Sequence, residues 1–299
     1  MRGLISKIQR YSTKDGPGLR STVFAMGCPL CCKWCSNPEL IGVHEAIFYH
    51  AQRCIGCGAC VAVSGGAIRL TDNGCVIDRA VCSNLAQCAE VCYYDAYEHV
   101  GTTISAKELA EKLLRDKAFY DQSGGGVTYS GGEAALQADF FQEVTEILKT
   151  DSIHVTLDTS GHVPWSKLEP LIKAVDLVLY DIKAIDNEIH RRHTGADNLL
   201  ILENARKIAS MRKEINFRLI IVPGVNDSDK EIEDRLRFVH GLGDAYRVDV
   251  LKYHRLGSGK YNRLGLSEPM ANTPECSDES VENIVQKAKD MGLMVTIGS

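Results

Sequence analysis

Eleven of the twelve cysteines in this 299-residue chain fall between Cys28 and Cys92, and only Cys276 lies elsewhere. A distribution this uneven restricts the fold more than any other property of the sequence. The opening MRGLISKIQRYS has neither an apolar core nor a small-residue cleavage site, so the expectation is a cytoplasmic chain. That compartment keeps thiols reduced, which argues against disulfides and for metal or iron–sulfur ligation. A chain of this length buries roughly 75% of its unfolded surface and does not depend on disulfides to fold. Its 44% hydrophobic and 24% charged residues are ordinary for a globular protein. The net charge of −5 argues against nucleic acid or an anionic membrane as partner. No run approaches the ~20 apolar residues of a membrane span.

Outside the cysteine-rich part the pattern alternates strand and helix. An apolar strand over 19–26 runs into Cys28-Pro-Leu-Cys31-Cys32-Lys-Trp-Cys35. Residues 46–99 then hold seven cysteines, glycine pairs and only short apolar pieces, and read as a small metal-held insert. Helical periodicity covers 104–120, with Ser105 as N-cap and Glu108 in the capping-box position. Strands over 126–130, 153–158, 176–182, 215–222 and 247–253 alternate with helical stretches, among them 137–149, 165–174, 228–240 and 279–291. Repeated βα units imply a parallel sheet with right-handed crossovers. With 19–26 there are six such units, two short of a closed barrel. The expected architecture is α/β: an open, partial (β/α)6 TIM-like barrel over 1–45 and 100–299, with 46–99 inserted as a ferredoxin-like iron–sulfur unit.

Cys28, Cys32 and Cys35 form CxxxCxxC. Three thiolates on one loop can hold three irons of a [4Fe–4S] cluster and leave the fourth open, as catalytic metal sites keep an exchangeable position. Cys31 offers an alternative triplet, C-x2-C-C-x2-C. A structural zinc site is the rival reading, with its fourth ligand and second knuckle drawn from the insert.

The segments Asp15-Gly-Pro-Gly-Leu-Arg-Ser-Thr-Val-Phe24 and Gly27-Cys-Pro-Leu-Cys-Cys-Lys-Trp-Cys-Ser-Asn-Pro-Glu39 resemble the opening of the glycyl radical enzyme activases, which are radical S-adenosylmethionine enzymes. Further blocks at 124–133, 158–161, 181–183 and 251–257 extend the resemblance over most of the chain. The family usually lacks cysteine at the position of Cys31, which makes Cys31 a bystander. The resemblance implies a partial (β/α)6 barrel, in agreement with the strand count.

Within the insert, positions 54, 57, 60 and 64 repeat at 82, 85, 88 and 92, the bacterial ferredoxin spacing C-x2-C-x2-C-x3-C. In two-cluster ferredoxins the fourth ligand of each run serves the other cluster. One cluster would take Cys54, Cys57, Cys60 and Cys92, all present. The other would take Cys82 and Cys88, but its remaining positions are Ser64 and Leu85, and only Cys75 stands near as a substitute. One auxiliary [4Fe–4S] cluster is expected, although many of these activases carry two. A cluster-free zinc fold is the rival.

Strand alternation sorts the barrel residues. His154, Thr156 and Asp158 oppose Val155 and Leu157; Asp181 and Lys183 share a face; Asn216 and Arg218 oppose Phe217 and Leu219. Apolar faces would meet outer helices, and polar faces would line a lumen. A lumen carrying these charges costs stability unless they pair or meet a polar ligand, which marks a site. The resemblance supplies roles. Gly131, Gly132 and Glu133 match the motif that receives the methionyl amino group of S-adenosylmethionine. Asp158, Thr159, Asp181 and Lys183 match elements near the cofactor carboxylate and ribose, with a monovalent cation among the implied ligands. Arg218, His254 and Asn37 match cofactor-binding positions, and Trp34 matches an aromatic near adenine. Asp15, Gly16, Pro17 and Gly18 resemble the loop at which the partner's peptide enters. The glycine run 124–126 lacks the lysine of a phosphate loop and precedes a strand, which excludes that reading.

The resemblance implies the following reaction. A low-potential donor, flavodoxin or ferredoxin, reduces the cluster on Cys28, Cys32 and Cys35. S-adenosylmethionine on the open iron is then cleaved to methionine and a 5′-deoxyadenosyl radical. That radical takes the Cα hydrogen of a glycine in a partner glycyl radical enzyme. The activase itself is expected to be a monomer. A radical S-adenosylmethionine enzyme acting on a small molecule is the alternative, but it would not be expected to carry the Asp15–Gly18 loop joined to 27–39. An electron-transfer ferredoxin explains only 46–99. Anaerobic reconstitution is expected to give about eight irons per chain, from one catalytic and one auxiliary cluster. A reproducible content of about twelve, by iron and sulfide analysis, would require a second auxiliary cluster.

Overall fold

The computed structural model describes every residue except 45, 72, 73, 80, 82–84, 244, 245 and 299. In chain order the strands are β1 (Arg2–Ser12), β2 (Arg20–Ala25), β3 (Ala46–Tyr49), β4 (Ile68–Thr71), β5 (Gly74–Ile77), β6 (Tyr97–Val100), β7 (Thr102–Ser105), β8 (Gly126–Gly131), β9 (His154–Thr159), β10 (Leu177–Asp181), β11 (Glu214–Ile221), β12 (Arg247–Lys252) and β13 (Met294–Gly298). The helices are α1 (Ala59–Val63), α2 (Leu85–Glu90), α3 (Ala106–Leu114), α4 (Lys117–Ser123), α5 (Ala138–Thr150), α6 (Trp165–Ala174), α7 (Asn187–Thr194), α8 (Leu199–Ser210), α9 (Asp229–His240), α10 (Ser258–Leu264) and α11 (Asp278–Asp290).

One nine-stranded sheet runs in the order β13-β12-β11-β10-β9-β8-β2-β1-β7. From β2 to β13 every neighbouring pair is parallel, whereas β1 pairs antiparallel with both β2 and β7. All the strands expected from the sequence are present. To this sheet the structure adds three: β13, which extends the parallel run beyond the expected units, and the antiparallel β1 and β7. Among the described residues β13 and β7 do not pair, so the sheet curls without closing. A lumen cavity of about 800 Å3 is lined both by β13 residues such as Thr296 and by Thr13, Gly16 and Pro17 of the segment after β1.

The alternation predicted for the strands holds. Val155 and Leu157 of β9, Val178 and Tyr180 of β10, and Phe217 and Leu219 of β11 are fully buried in the main apolar core. They pack with Phe141, Val144, Leu171, Ile208 and Leu236 from the outer helices. Ser105 caps α3 as expected, accepting from the Glu108 amide while the Glu108 carboxylate accepts from the Ser105 amide. The helix expected over 104–120 is instead divided into α3 and α4, because Thr102–Ser105 pairs with β1 and the chain turns at Asp116. Asp116 is held there by Ser21 Oγ at 2.8 Å and by Arg10 Nε at 2.8 Å.

The cysteine-rich segment contributes the β3–β6 pair, the β4–β5 hairpin, α1 and α2. It has its own small core of Ile47, Cys60, Ile68, Cys88, Ala96 and Tyr97. Phe48 and Val100 seat it on the barrel against Met26, Leu40 and Leu264. Among the described residues no helix is long and apolar enough to cross a membrane. Phe217 meets Tyr180 and Tyr246 edge-on, at centroid separations of 6.0 and 5.6 Å. Phe217→Ala is expected to destabilise the protein by about 3–5 kcal/mol, read as a lowered denaturation midpoint under anaerobic conditions.

Candidate active site

The loop after β2 is clamped to its neighbours through main-chain groups. The Gly27 and Cys28 amides donate to the carbonyls of Leu40 (3.0 Å) and Ile41 (3.3 Å). The Cys31 and Lys33 amides donate to Thr194 and His193 at 2.7 and 2.9 Å, using carbonyls at the end of α7 that have no partner within the helix. From the other side, the Tyr261 hydroxyl of α10 donates to the Cys35 carbonyl at 3.2 Å. Lys260 Nζ donates to Asn37 Oδ1 at 2.6 Å and to Glu39 Oε1 at 2.5 Å. Asn37, expected at the cofactor, is thus turned to Lys260.

Cys28, Cys32 and Cys35 are half-buried, whereas Cys31 is exposed. Burial pushes the Cys28 and Cys32 thiols up to about 12 and the Cys35 thiol to about 11. Left to themselves, these thiols stay protonated at neutral pH. A metal that takes the place of their protons fits the donor set. The same thiols and Lys183 act on each other electrostatically. Among the described residues no three His, Cys, Asp or Glu side chains stand at the spacing of a single bound ion. A cuboidal cluster spaces its ligands more widely.

The polar lumen residues form one chain of charge. Ser130 Oγ of β8 donates to Asp158 Oδ2 at 2.6 Å. Arg218 of β11 donates through Nη2 to Asp158 Oδ1 at 2.6 Å and through Nε to Asp181 Oδ1 at 2.9 Å. Lys183 Nζ donates to Asp181 Oδ2 at 2.8 Å. Burial raises the Asp158 carboxyl to about 6 against the pull of Arg218. Burial acts on Asp181 too, but Arg218 and Lys183 overcome it and hold that carboxyl at about 2. The cations are held above their ordinary ranges despite burial, Arg218 by both aspartates and Lys183 by Asp181.

Gly131, Gly132 and Glu133 pack against the cysteine loop. The Gly132 amide donates to the Ala25 carbonyl and the Glu133 amide to that of Gly27, at 2.9 and 2.7 Å. A Cβ on Gly132 would come within 2.1 Å of the Gly27 oxygen, so only glycine fits there. Glu133 is fully buried. Its carboxylate accepts from Thr159 Oγ1 at 2.7 Å, and from the Ser160 amide and hydroxyl at 2.9 and 2.7 Å. Trp34 stacks on His193 at 6.4 Å and packs with Val222, Tyr253 and Met270. With half-buried His254, it borders a small recess beside the cysteine loop, apart from the charge chain.

The Asp15–Gly18 loop is fixed from below. Thr22 Oγ1 donates to Asp15 Oδ2 at 2.6 Å, and Thr128 Oγ1 to the Asp15 carbonyl at 2.7 Å. Arg20, fully buried, donates to Pro17 O at 3.0 Å, Thr128 Oγ1 at 2.7 Å, Val127 O at 2.6 Å and Thr156 Oγ1 at 2.9 Å. Sequence reasoning did not single out Arg20, Lys260 or Tyr261. For Arg20 the signal was an arginine inside an otherwise apolar strand; the other two fall on α10, in a stretch of sequence with no such signal.

The insert's Cys54, Cys57, Cys60, Cys75 and Cys92 line one small pocket. Cys88 is fully buried in the insert's core, and Cys82 lies outside the described residues. Cys75, considered as a substitute in a second cluster, stands with the first set instead.

The Radical SAM superfamily profile matches residues 22–236. The isethionate sulfite-lyase activating enzyme of Oleidesulfovibrio alaskensis is 39% identical over 276 residues, covering 90% of this chain and 89% of the relative. The trans-4-hydroxy-L-proline dehydratase activating enzyme of Clostridioides difficile is 36% identical over 288 residues, covering 95% of each. In fold, the chain resembles a radical SAM methyltransferase from Sphaerobacter thermophilus, with a TM-score of 0.56 at 14% identity over 98% of this chain and 76% of that one. The chain belongs to the radical SAM superfamily and, within it, to the activating enzymes of glycyl radical enzymes.

Exposed Cys31 and half-buried Cys32 give this assignment a direct check. Cys32→Ala is expected to abolish reductive cleavage of S-adenosylmethionine, and Cys31→Ala to leave it within about twofold, measured as 5′-deoxyadenosine released anaerobically with dithionite. A lethal Cys31→Ala would assign the triplet differently.

Proposed function

We propose that this protein installs a glycyl radical on a partner glycyl radical enzyme. The observation that carries the reading is the junction of the Cys28/Cys32/Cys35 loop with a charge chain whose Arg218 also lines, with Gly16 and Pro17, a cavity of about 800 Å3. A cavity of that volume beside a fixed entrance loop suits a peptide segment.

A [4Fe–4S] cluster on the three thiols, with S-adenosylmethionine on its open iron, supplies the electron that cleaves the sulfonium and the 5′-deoxyadenosyl radical that takes a glycine Cα hydrogen. The protein's own residues bind and orient. Main-chain groups of the Gly131–Gly132 segment would receive the methionyl amine, and Glu133 positions the 158–161 segment through Thr159 and Ser160. Asp158, Asp181, Lys183 and Arg218 present alternating charge to the carboxylate and ribose hydroxyls, with a monovalent cation as a further member of that shell. Trp34 and His254 border the adenine side. Asp15–Gly18 guides the partner's glycine loop. Glycine suits that loop because, without Cβ, it adopts turns closed to other residues, and its radical is stabilised by the flanking amides. No side chain is needed as a general base.

Residues 46–99 are read as a ferredoxin-like unit with one auxiliary cluster, and 1–45 with 100–299 as the barrel. A flavodoxin or ferredoxin is the electron donor to a monomeric, cytoplasmic activase. The relatives' names point to lyases and dehydratases as the class of partner. Incubated anaerobically with reductant, S-adenosylmethionine and the partner, the protein is expected to produce a doublet electron paramagnetic resonance signal on that partner, and Gly→Ala at the radical position to remove it. Cleavage of the cofactor with no doublet on any glycyl radical enzyme of the source organism favours the small-molecule alternative.

A further inference from the structure

Helix α10 lies across the cysteine loop and is itself held by the insert. Arg79 Nη2, just after β5, donates to the Arg263 carbonyl at 2.8 Å. The Arg263 guanidinium stands 4.7 Å over the Phe48 ring, and Leu264 packs with Phe48 and Val100. On the side of the thiols, the Tyr261 hydroxyl donates to the Cys35 carbonyl at 3.2 Å.

Lys260 projects from this fixed helix into the turn that follows Cys35. Its Nζ meets Asn37 Oδ1 at 2.6 Å and Glu39 Oε1 at 2.5 Å. The ion pair is nearly dry, with the Lys260 side chain 18% exposed and that of Glu39 4%. The other carboxylate oxygen of Glu39 is buried with no hydrogen-bond partner among the described residues. Lys7 also acts on Glu39, but it stands 4.7 Å over the Phe24 ring. Among the described residues the ion-pair partner of Glu39 is therefore Lys260. A carboxylate so enclosed costs free energy without its cation.

A second contact reaches the sulfur itself. The Asn37 amide donates to Cys35 Sγ at 3.4 Å. By gripping the Asn37 side chain, Lys260 fixes the residue whose main-chain N–H is aimed at a thiol of the triplet. The potential of an iron–sulfur cluster is set by the net charge around it and by hydrogen bonds to its sulfurs. Lys260 acts on both.

We propose that Lys260 is a positioning residue for the cluster of the cysteine loop: it neutralises Glu39, holds the Asn37 amide on Cys35 Sγ, and thereby raises the potential at which that cluster accepts its electron from the low-potential donor. This rests on the reading of Cys28, Cys32 and Cys35 as cluster ligands, and the test separates the two.

The measurement is an anaerobic redox titration of the reconstituted full chain, followed by electron paramagnetic resonance. The loop's signal is the one that a chain with Cys28, Cys32 and Cys35 all changed to alanine lacks. If that chain keeps every signal of the parent, the reading of the loop fails and the proposal with it. Lys260→Met removes the charge at similar side-chain length. It is expected to lower the ratio of reduced to oxidised loop cluster about tenfold at a fixed potential, a midpoint about 59 mV more negative. Lys260→Arg keeps the cation and is expected to stay closer to the parent than to Lys260→Met. Glu39→Gln keeps the shape and removes the anion, so it is expected to raise the midpoint. The double variant Lys260→Met/Glu39→Gln is expected to fall between the two singles, a compensation that a packing role does not produce. The iron content of each variant is expected to match the parent. An unmoved midpoint in Lys260→Met, shifts of the same sign in Lys260→Met and Glu39→Gln, or loss of the loop's iron from Lys260→Met overturns the proposal.

Discussion

The chain Ser130–Asp158–Arg218–Asp181–Lys183 is the constraint on which the rest of the site depends. Four ionised groups inside a barrel are tolerable only because their signs alternate and each has a partner within 2.9 Å. Removing one member strands a buried charge, a change worth about 3–5 kcal/mol. The opposite shifts of the two aspartates show where the balance lies. Asp181, between two cations, is held at about 2, whereas Asp158 faces one cation and a hydroxyl and is raised to about 6. The cationic end of the chain is next to the thiols. The ends of β8, β9, β10 and β11 are thereby fixed relative to the cysteine loop by charge as well as by main-chain pairing.

That loop has little apolar surface of its own and takes its shape from carbonyls and side chains on other elements. The end of α7 receives two of its amides, and α10 closes over it through Tyr261 and Lys260. Gly257, just before α10, approaches so closely that a Cβ would stand 2.9 Å from the Ser36 Cα. Two stretches far from that loop in sequence thus define where the three thiols point. Below, Arg20 does the same for the Asp15–Gly18 loop, with a guanidinium whose fork geometry satisfies several acceptors at once.

The parallel strands were legible because each is buried on its helix-facing side and carries polar residues on the other, a period that alternation exposes. β13 was not legible because it lies at the open edge with mostly exposed residues, so no buried face marks it. Thr102–Ser105 reads as the approach to a helix, and only its pairing with Arg2–Ile5 makes it a strand. In the site, motif residues were legible as residues but not always as contacts. Asn37 belongs to a cofactor-loop motif, yet its side chain is tied to Lys260, more than two hundred residues away. Pairings over such separations leave no local pattern to read.

The paired glycines carry this point furthest. A strand that ends in Gly131-Gly132 reads as a bare cradle left open to a ligand. The atoms that exclude a side chain there are instead the Gly27 oxygen and the backbone of Phe24 and Ala25. The glycines allow β8 to lie directly against the cysteine loop. Glu133, the next residue, is carried inward to a fully buried position where its carboxylate gathers Thr159 and Ser160. Among the described residues its partners are hydroxyl and amide donors, the arrangement that satisfies a buried acid without an ion pair. The same short motif therefore joins two segments, the cysteine loop on one side and the turn after β9 on the other. Substituting either glycine would separate those segments before it touched any ligand, so the motif's chemistry is positional first.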